Sequence, residues 1–354
     1  MIKLRLPFML LAFANLIAGI ATGLIRIGWS FPAVSTAAHH GAIMVGGFLG
    51  TLILLEKVIP LKKRFLFVLP LINSLSVLMI DPQFYYLGLS CLLIGATGLL
   101  IVFVLYLKKQ PNDLSTWLMI AGACCLIGGH IMVLSKQFYP LAFPWWMGFP
   151  LFVIVGERVE LSKFLPVTRQ NKNALLFFCV LFASGLFIPF HGAGKYLSAA
   201  GLMMIALWLM KHDVIAIGLK KTALTRFSSY ALLSGCIALL FTGIFLVTLP
   251  NLPLAYDAVA HTFFLGFAFT MIFAHGPIIL PGVLGLNVKP YHPSLYVPLV
   301  TILLSIVLRV LADIAVLPYS IRLWSGWISV ASILIYFILL FSISIVRAPH
   351  AKTL

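Results

Sequence analysis

The residues of this chain best suited to chemistry are its nine histidines, at positions 39, 40, 130, 191, 212, 261, 275, 292 and 350. Neutral imidazole is the usual protein ligand of haem iron and also binds copper, and helical bundles build such sites between facing helices. His39 and His40 are adjacent. His261 and His275 are separated by fourteen positions, close to four whole turns at about 3.6 residues each, so they share a helix face about 21 Å apart. That is too far to share one ion, which leaves two sites, or a place for His275 at the mouth of a proton or electron path. Arg309 and Asp313 have the i,i+4 spacing of a local ion pair, and a guanidinium at 309 would equally suit the carboxylates of a haem. Each histidine taken alone also has a plainer reading, as an interfacial polar residue bonded to a neighbour or to water.

The composition determines what kind of element must hold these rings. Of 354 residues 62% are hydrophobic and 9% charged, against about a quarter charged in soluble domains. So little polar surface cannot cover a soluble core, and lipid must be the solvent. The expectation is an all-α integral membrane protein, one polytopic bundle of about twelve transmembrane helices. Apolar runs place them near 6–29, 38–56, 65–80, 85–107, 114–134, 141–162, 174–190, 194–211, 227–249, 256–279, 294–314 and 324–346. Turn residues separate them, among them Asp81-Pro82, Pro111-Asn112-Asp113, Pro250-Asn251 and Tyr291-His292-Pro293. The run after Lys3 and Arg5 has no small-residue cleavage site and reads as the first span. Gly276-Pro277 and Pro281-Gly282 are expected to break the tenth.

Charge tests this topology. With the N-terminus inside, nineteen of the 24 basic residues fall on inner loops and tails, Lys352 included. Only Arg26, Lys136, Lys195 and Arg322 fall outside, and Arg309 lies within a span. An odd number of missed helices would scramble that alternation, so both termini are expected to be cytoplasmic. The net charge of +16 is then topology, and nucleic acid is not needed to explain it. Five cysteines, all in apolar runs and without a CxxC, indicate neither a disulfide framework nor a zinc site. Glu157 is read as an interface anchor paired with Arg158 or a nearby lysine, the alternative being a quinone or proton-entry role. The expected setting is a bacterial inner membrane, with the bilayer as first partner and a quinol or electron-transfer protein as electron partner.

Orientation gives each histidine a depth. His39, His40, His130, His191 and His261 fall in one outer layer, with His261 about 7 Å below its surface at about 1.5 Å per residue. His275 lies near the inner end of its span, and His212, His292 and His350 in inner loops or the tail. The functional reading is that His39 or His40 and His261 ligate a haem or metal, with Arg309 and Arg26 as cationic partners of the haem carboxylates. The small residues Gly41-Ala42 and Gly46-Gly47 would allow close helix approach or room for a flat ring.

His40-Gly41-Ala42-Ile43-Met44-Val45-Gly46-Gly47-Phe48-Leu49 resembles the second-span motif of the NnrS family. The stretches Trp146 to Phe164, His261 to Gly285 and Leu308-Arg309-Val310-Leu311 resemble its later segments. The resemblance implies a twelve-span protein associated with haem b and copper and linked to nitric oxide metabolism. Its plan is distantly similar to the haem-copper oxidase catalytic subunit, where histidines on spans 2 and 10 hold a haem towards the outer face. On that pattern His39 or His40, His261 and Arg309 match by position. Metal candidates are His40, His261, His130 and His275, with His130 and His191 as contributors to a second site. Spans 6 and 7 carry no internal histidine, so the oxidase copper site is missing and oxygen reduction is not expected. A membrane oxidoreductase is one outcome. The alternatives are a secondary transporter, which twelve spans and a broken tenth helix also suit, or a non-catalytic assembly partner of a respiratory complex.

Overall fold

Apolar runs in a medium without water must satisfy every backbone N–H and C=O within the segment, and the helix does this. A computed structural model of the protein describes residues 2–30, 37–249, 252–286, 288–315 and 317–347, with no strand among them. His350, Lys352 and the Pro250-Asn251 turn lie outside the described residues. The helices are α1 (Ile2–Arg26), α2 (Ala42–Leu61), α3 (Arg64–Ile80), α4 (Tyr85–Leu107), α5 (Leu114–Lys136), α6 (Tyr139–Leu161), α7 (Arg169–Phe187), α8 (Lys195–His212), α9 (Ala223–Thr248), α10 (Ala255–Leu284), α11 (Tyr296–Ile314) and α12 (Tyr319–Arg347). All but α3 and α7 are long and apolar enough to cross a membrane, which makes ten.

The two exceptions have separate causes. The first turns of α7 are the polar Arg169-Gln170-Asn171-Lys172-Asn173, so its apolar part from Ala174 falls short of the ~20 residues a span needs. In α3 a central α-helix, Val68–Ser74, is flanked by tighter 3₁₀ turns, Arg64–Phe67 and Leu75–Ile80. Because 3₁₀ turns rise about 2.0 Å per residue against about 1.5 Å, the contour reaches roughly 30 Å.

Helix starts follow side-chain chemistry. Asp113 accepts from the Thr116 backbone N–H at 3.2 Å, and the Thr168 hydroxyl accepts from Asn171 N–H at 3.3 Å. Gln137 ends α5 in the left-handed region at φ 50°.

The chain forms two compact units. Unit 1 is Met1–Glu157 with Val283–Gly285, and unit 2 is Arg158–Gly282 with Leu286–Leu354. The apolar stretches of α6, α2 and α10 are 72%, 67% and 61% buried, against 44–56% for the other seven. Every fourth helix is therefore the most enclosed; α10 carries His261 and His275, and His39 and His40 lie just before α2.

Both α2 and α10 widen into π-helix within two residues of a histidine, over Ala42–Gly50 after His40 and Thr262–Phe269 after His261. A π stretch loosens the i→i−4 ladder, and in each case a side chain caps a glycine carbonyl inside it. In unit 1 the Asn73 amide donates to Gly46 O at 2.9 Å and to the Thr51 hydroxyl at 2.7 Å. In unit 2 the Thr270 hydroxyl donates to Gly266 O at 2.5 Å.

The break expected at Gly276-Pro277 and Pro281-Gly282 does not occur. Helix runs through both prolines to Leu284, and the irregularity of α10 sits just after His261 instead. The physical reason lies on two neighbouring helices of unit 2. Pro277 leaves Phe273 O without its helical donor, and the Tyr336 hydroxyl of α12 supplies one at 3.0 Å. Ser228 of α9 donates to Ala274 O at 2.8 Å. Gly276 permits this approach, since a Cβ there would lie 2.3 Å from the Tyr336 oxygen.

Candidate functional site

Unit 1 gathers three of the candidate histidines. His40, at the entry to α2, lies against α1. Its Nδ1 is 2.7 Å from Gly19 O, and because a carbonyl only accepts, the proton is on Nδ1. Metal-binding imidazoles commonly carry this kind of backbone support. Gly23 makes the approach open, as a Cβ there would be 2.7 Å from His40 Cε1. His39 turns the other way, stacking on Tyr85 at 4.7 Å between ring centroids and hydrogen-bonding the Tyr139 hydroxyl through Nδ1. Arg26 closes α1 on the exposed surface, near enough to the Tyr139 phenol to act on it electrostatically.

From Tyr139 a run of rings continues inward. Tyr139 lies 6.0 Å from Trp146, and Trp146 lies 6.0 Å from His130 in an edge-on arrangement at 63°. His130 is the one histidine among the described residues that is fully buried. Among the described residues neither of its ring nitrogens has a hydrogen-bond partner, and the Trp146 indole N–H beside it also has none. Each such buried orphan ordinarily costs about 1–3 kcal/mol. The two rings sit in notches formed by glycines. A Cβ on Gly46 would lie 2.6 Å from His130 Cε1 and 2.9 Å from Nε2, and one on Gly129 would lie 2.5 Å from Trp146 Nε1.

Unit 2 holds its candidates differently. At the head of α10, His261 Nδ1 lies 3.0 Å from Asp257 O and 3.3 Å from the Asp257 carboxylate. Arg309 of α11 does not take Asp313 as its main partner, as its i,i+4 spacing suggested. It grips Asp257 with two bonds, Nε to Oδ2 at 2.7 Å and Nη2 to Oδ1 at 3.0 Å. Asp313 is met instead by Arg322 of α12 at 2.9 Å, and Arg322 also reaches Asp257 at 3.3 Å. A buried Arg in lipid requires a counter-charge, and the cross-helix carboxylate supplies one in the bidentate geometry that a guanidinium favours. The Arg309 expected to meet haem carboxylates thus already has a carboxylate from its own unit.

At the other end of α10, His275 is occupied on both nitrogens. Nδ1 donates to Met271 O at 2.8 Å, and Nε2 accepts from Arg158 Nη1 at 2.8 Å. Arg158 in turn bonds Asp213 through Nε at 2.6 Å and through Nη2. This triad, buried at Arg158 and Asp213, leaves His275 no lone pair to offer a metal. Glu157, expected to pair with Arg158 or a lysine, pairs with Lys57 at 2.5 Å. His191 is exposed beside Phe190. Among the described residues no three His, Cys, Asp or Glu side chains converge in a way that would hold a metal ion.

Sequence reasoning passed over Asp257, Asp213 and Trp146. Asp257 had a readable signal, four positions before His261 on the same face. Asp213 had none, since its partner Arg158 is 55 positions away. Trp146 looked like ordinary membrane aromatic content until it was found beside His130.

No curated protein and no solved structure matches the chain at a significant level. The model of the family described as domain of unknown function DUF8744 matches residues 5–345, nearly the whole chain, and the protein belongs to that family.

Proposed function

We propose that the protein is a haem-binding membrane protein of redox or nitric-oxide-related metabolism, with twelve spans and both termini cytoplasmic. The observation that carries this reading is the pairing of imidazole and irregular helix. His40 and His261 head two of the three most enclosed helices, each has Nδ1 held at a backbone carbonyl, and each is followed within two residues by a π stretch. Imidazoles so held suit iron ligation. The resemblance to the NnrS family points the same way. Copper, a quinol or protein electron donor and the bacterial inner membrane belong to this reading on the strength of that resemblance alone.

The test is an optical spectrum of the detergent-purified protein from haem-replete cells, with pyridine haemochrome quantification. A Soret band and reduced-minus-oxidised features of haem b are expected, diminished in His261→Ala. A colourless protein would overturn the reading. Topology is tested separately by fusing periplasm-active and cytoplasm-active reporters after Arg347, with only the cytoplasmic reporter expected to work.

The transporter reading drew on twelve spans and a broken tenth helix, and α10 runs unbroken through both prolines; the charged clusters at its two ends are what remains to it. These charges pair with one another within unit 2, whereas a substrate site should offer groups to its cargo.

A further inference from the structure

We propose that Asp313 of α11 is a proton-binding site, holding one exchangeable proton against the Asp257 carboxylate. The proposal goes beyond the haem reading above and does not depend on it. The two aspartates meet where α10, α11 and α12 of unit 2 come together, and they are served unequally. Arg309 bonds both oxygens of Asp257, Arg322 reaches its Oδ1 at 3.3 Å, and His261 Nδ1 faces the same oxygen at 3.3 Å. Asp313 accepts from Arg322 Nε at 2.9 Å on Oδ1, and no donor among the described residues reaches its Oδ2. Its side chain is 0% exposed, against 19% for Asp257. An ionised carboxylate only accepts, and burying one with a bare oxygen is costly.

The two carboxyls also crowd one another. They sit on neighbouring nitrogens, Nη2 and Nε, of the Arg322 fork, an edge that commonly takes the two oxygens of a single carboxylate. They stand within hydrogen-bonding reach of each other, and two acceptors can bond only through a proton. Like charges this close favour holding one. Asp257, gripped by two guanidiniums, is the partner that stays ionised, which puts the proton on Asp313. A proton also needs no cavity. Opposing costs keep it exchangeable. With His261 neutral, Arg309 and Arg322 balance Asp257 and Asp313 when the proton is absent, but Oδ2 is then bare. With the proton bound, that oxygen becomes a donor to Asp257 and the cluster carries one net positive charge. Tyr319 of α12 faces the cluster as well, its ring centroid 5.9 Å from the Arg322 guanidinium. The route to water runs past Asp257 and past His261, whose side chain is 22% exposed.

The test is infrared difference spectroscopy of the full-length protein in detergent, recorded over a pH titration in ordinary and in heavy water. A protonated carboxyl has a carbonyl stretch that an ionised one lacks, and the chain has only eight Asp and Glu residues, so a band can be assigned. Near neutral pH one such band is expected, shifting in heavy water and fading reversibly as the pH rises. Aspartate labelled with carbon-13 at its side-chain carboxyl should move the band, whereas carbonyls of lipid or cofactor stay in place. Asp313→Asn should abolish it and Asp313→Glu should shift it. Asp81→Asn, at an exposed helix cap, should leave it untouched. Elution and melting profiles establish that each variant is folded, and the isotope label and Asp313→Glu decide the matter if Asp313→Asn does not fold. The absence of a label-sensitive band near neutral pH overturns the proposal. So does a band that persists unchanged in folded Asp313→Asn or Asp313→Glu. A band that neither shifts in heavy water nor titrates also overturns it, because that proton would be a fixed part of the fold. A colourless protein that shows the band overturns the haem reading alone, which distinguishes the two failures.

Discussion

Buried ring and guanidinium nitrogens at one place in each unit are treated in opposite ways. In unit 2 each guanidinium and imidazole of the Asp257 and Arg158 clusters has a carboxylate, a ring nitrogen or a carbonyl within bonding distance. In unit 1 the most deeply buried imidazole and the indole beside it have none. A polar group that the protein satisfies itself is available for holding helices in register. One that the protein leaves unsatisfied is a poor structural element and a good candidate for receiving something else. The contrast separates histidines that the sequence alone puts in one class, and it predicts that mutating them will have opposite effects.

The largest effect is expected at the Arg158–Asp213–His275 triad. Asp213→Ala leaves the Arg158 charge buried at 3% exposure and should destabilise the protein by about 3–5 kcal/mol. Chemical denaturation in a fixed detergent measures this, and Asp213→Ala combined with Arg158→Met should recover much of the loss. If the single variant melts like the wild type, the triad is not holding unit 2 together.

Gly46→Ala should cost about 1–3 kcal/mol by pushing the His130 ring out of its notch. His275→Leu comes next. Removing the acceptor of Arg158 should cost about 1–3 kcal/mol and leave any haem spectrum unchanged. Tyr336→Phe should cost about 1 kcal/mol by leaving Phe273 O without its donor at the Pro277 site.

The smallest effect is the most diagnostic, because its sign is reversed. His130→Leu in haem-free protein should raise stability by about 1 kcal/mol, since a side chain of similar size replaces two orphaned nitrogens. A thermal melt of haem-free protein decides it. A fall comparable to that of His275→Leu would mean that His130 is satisfied in the protein after all, and the comparison between the units would dissolve.

The helices themselves were legible from hydropathy, and every expected apolar segment coincides with one. The ends of the segments were less legible. Pro277 looked like a helix breaker because its cost is local, while the remedy, the Tyr336 hydroxyl, comes from another helix. The Arg309–Asp313 spacing similarly suggested a local pair. Asp257 is 52 positions away, and no periodicity in a nearly all-apolar helix says which face will meet which neighbour.

What the sequence determined by itself is a matter of solvent. A chain that is 62% hydrophobic and 9% charged must bury its backbone bonds in helices, and its few imidazoles and guanidiniums are then conspicuous. What only the tertiary structure decided is the partner of each. A helix sets the spacing along its own axis, whereas hydrogen-bond satisfaction depends on which side chains arrive from elsewhere. That is why His40, His130, His261 and His275 read alike as letters and yet end up with different partners. Gly19 holds the first, Asp257 the third and Arg158 the last. His130 has no hydrogen-bond partner among the described residues, with Trp146 edge-on beside it.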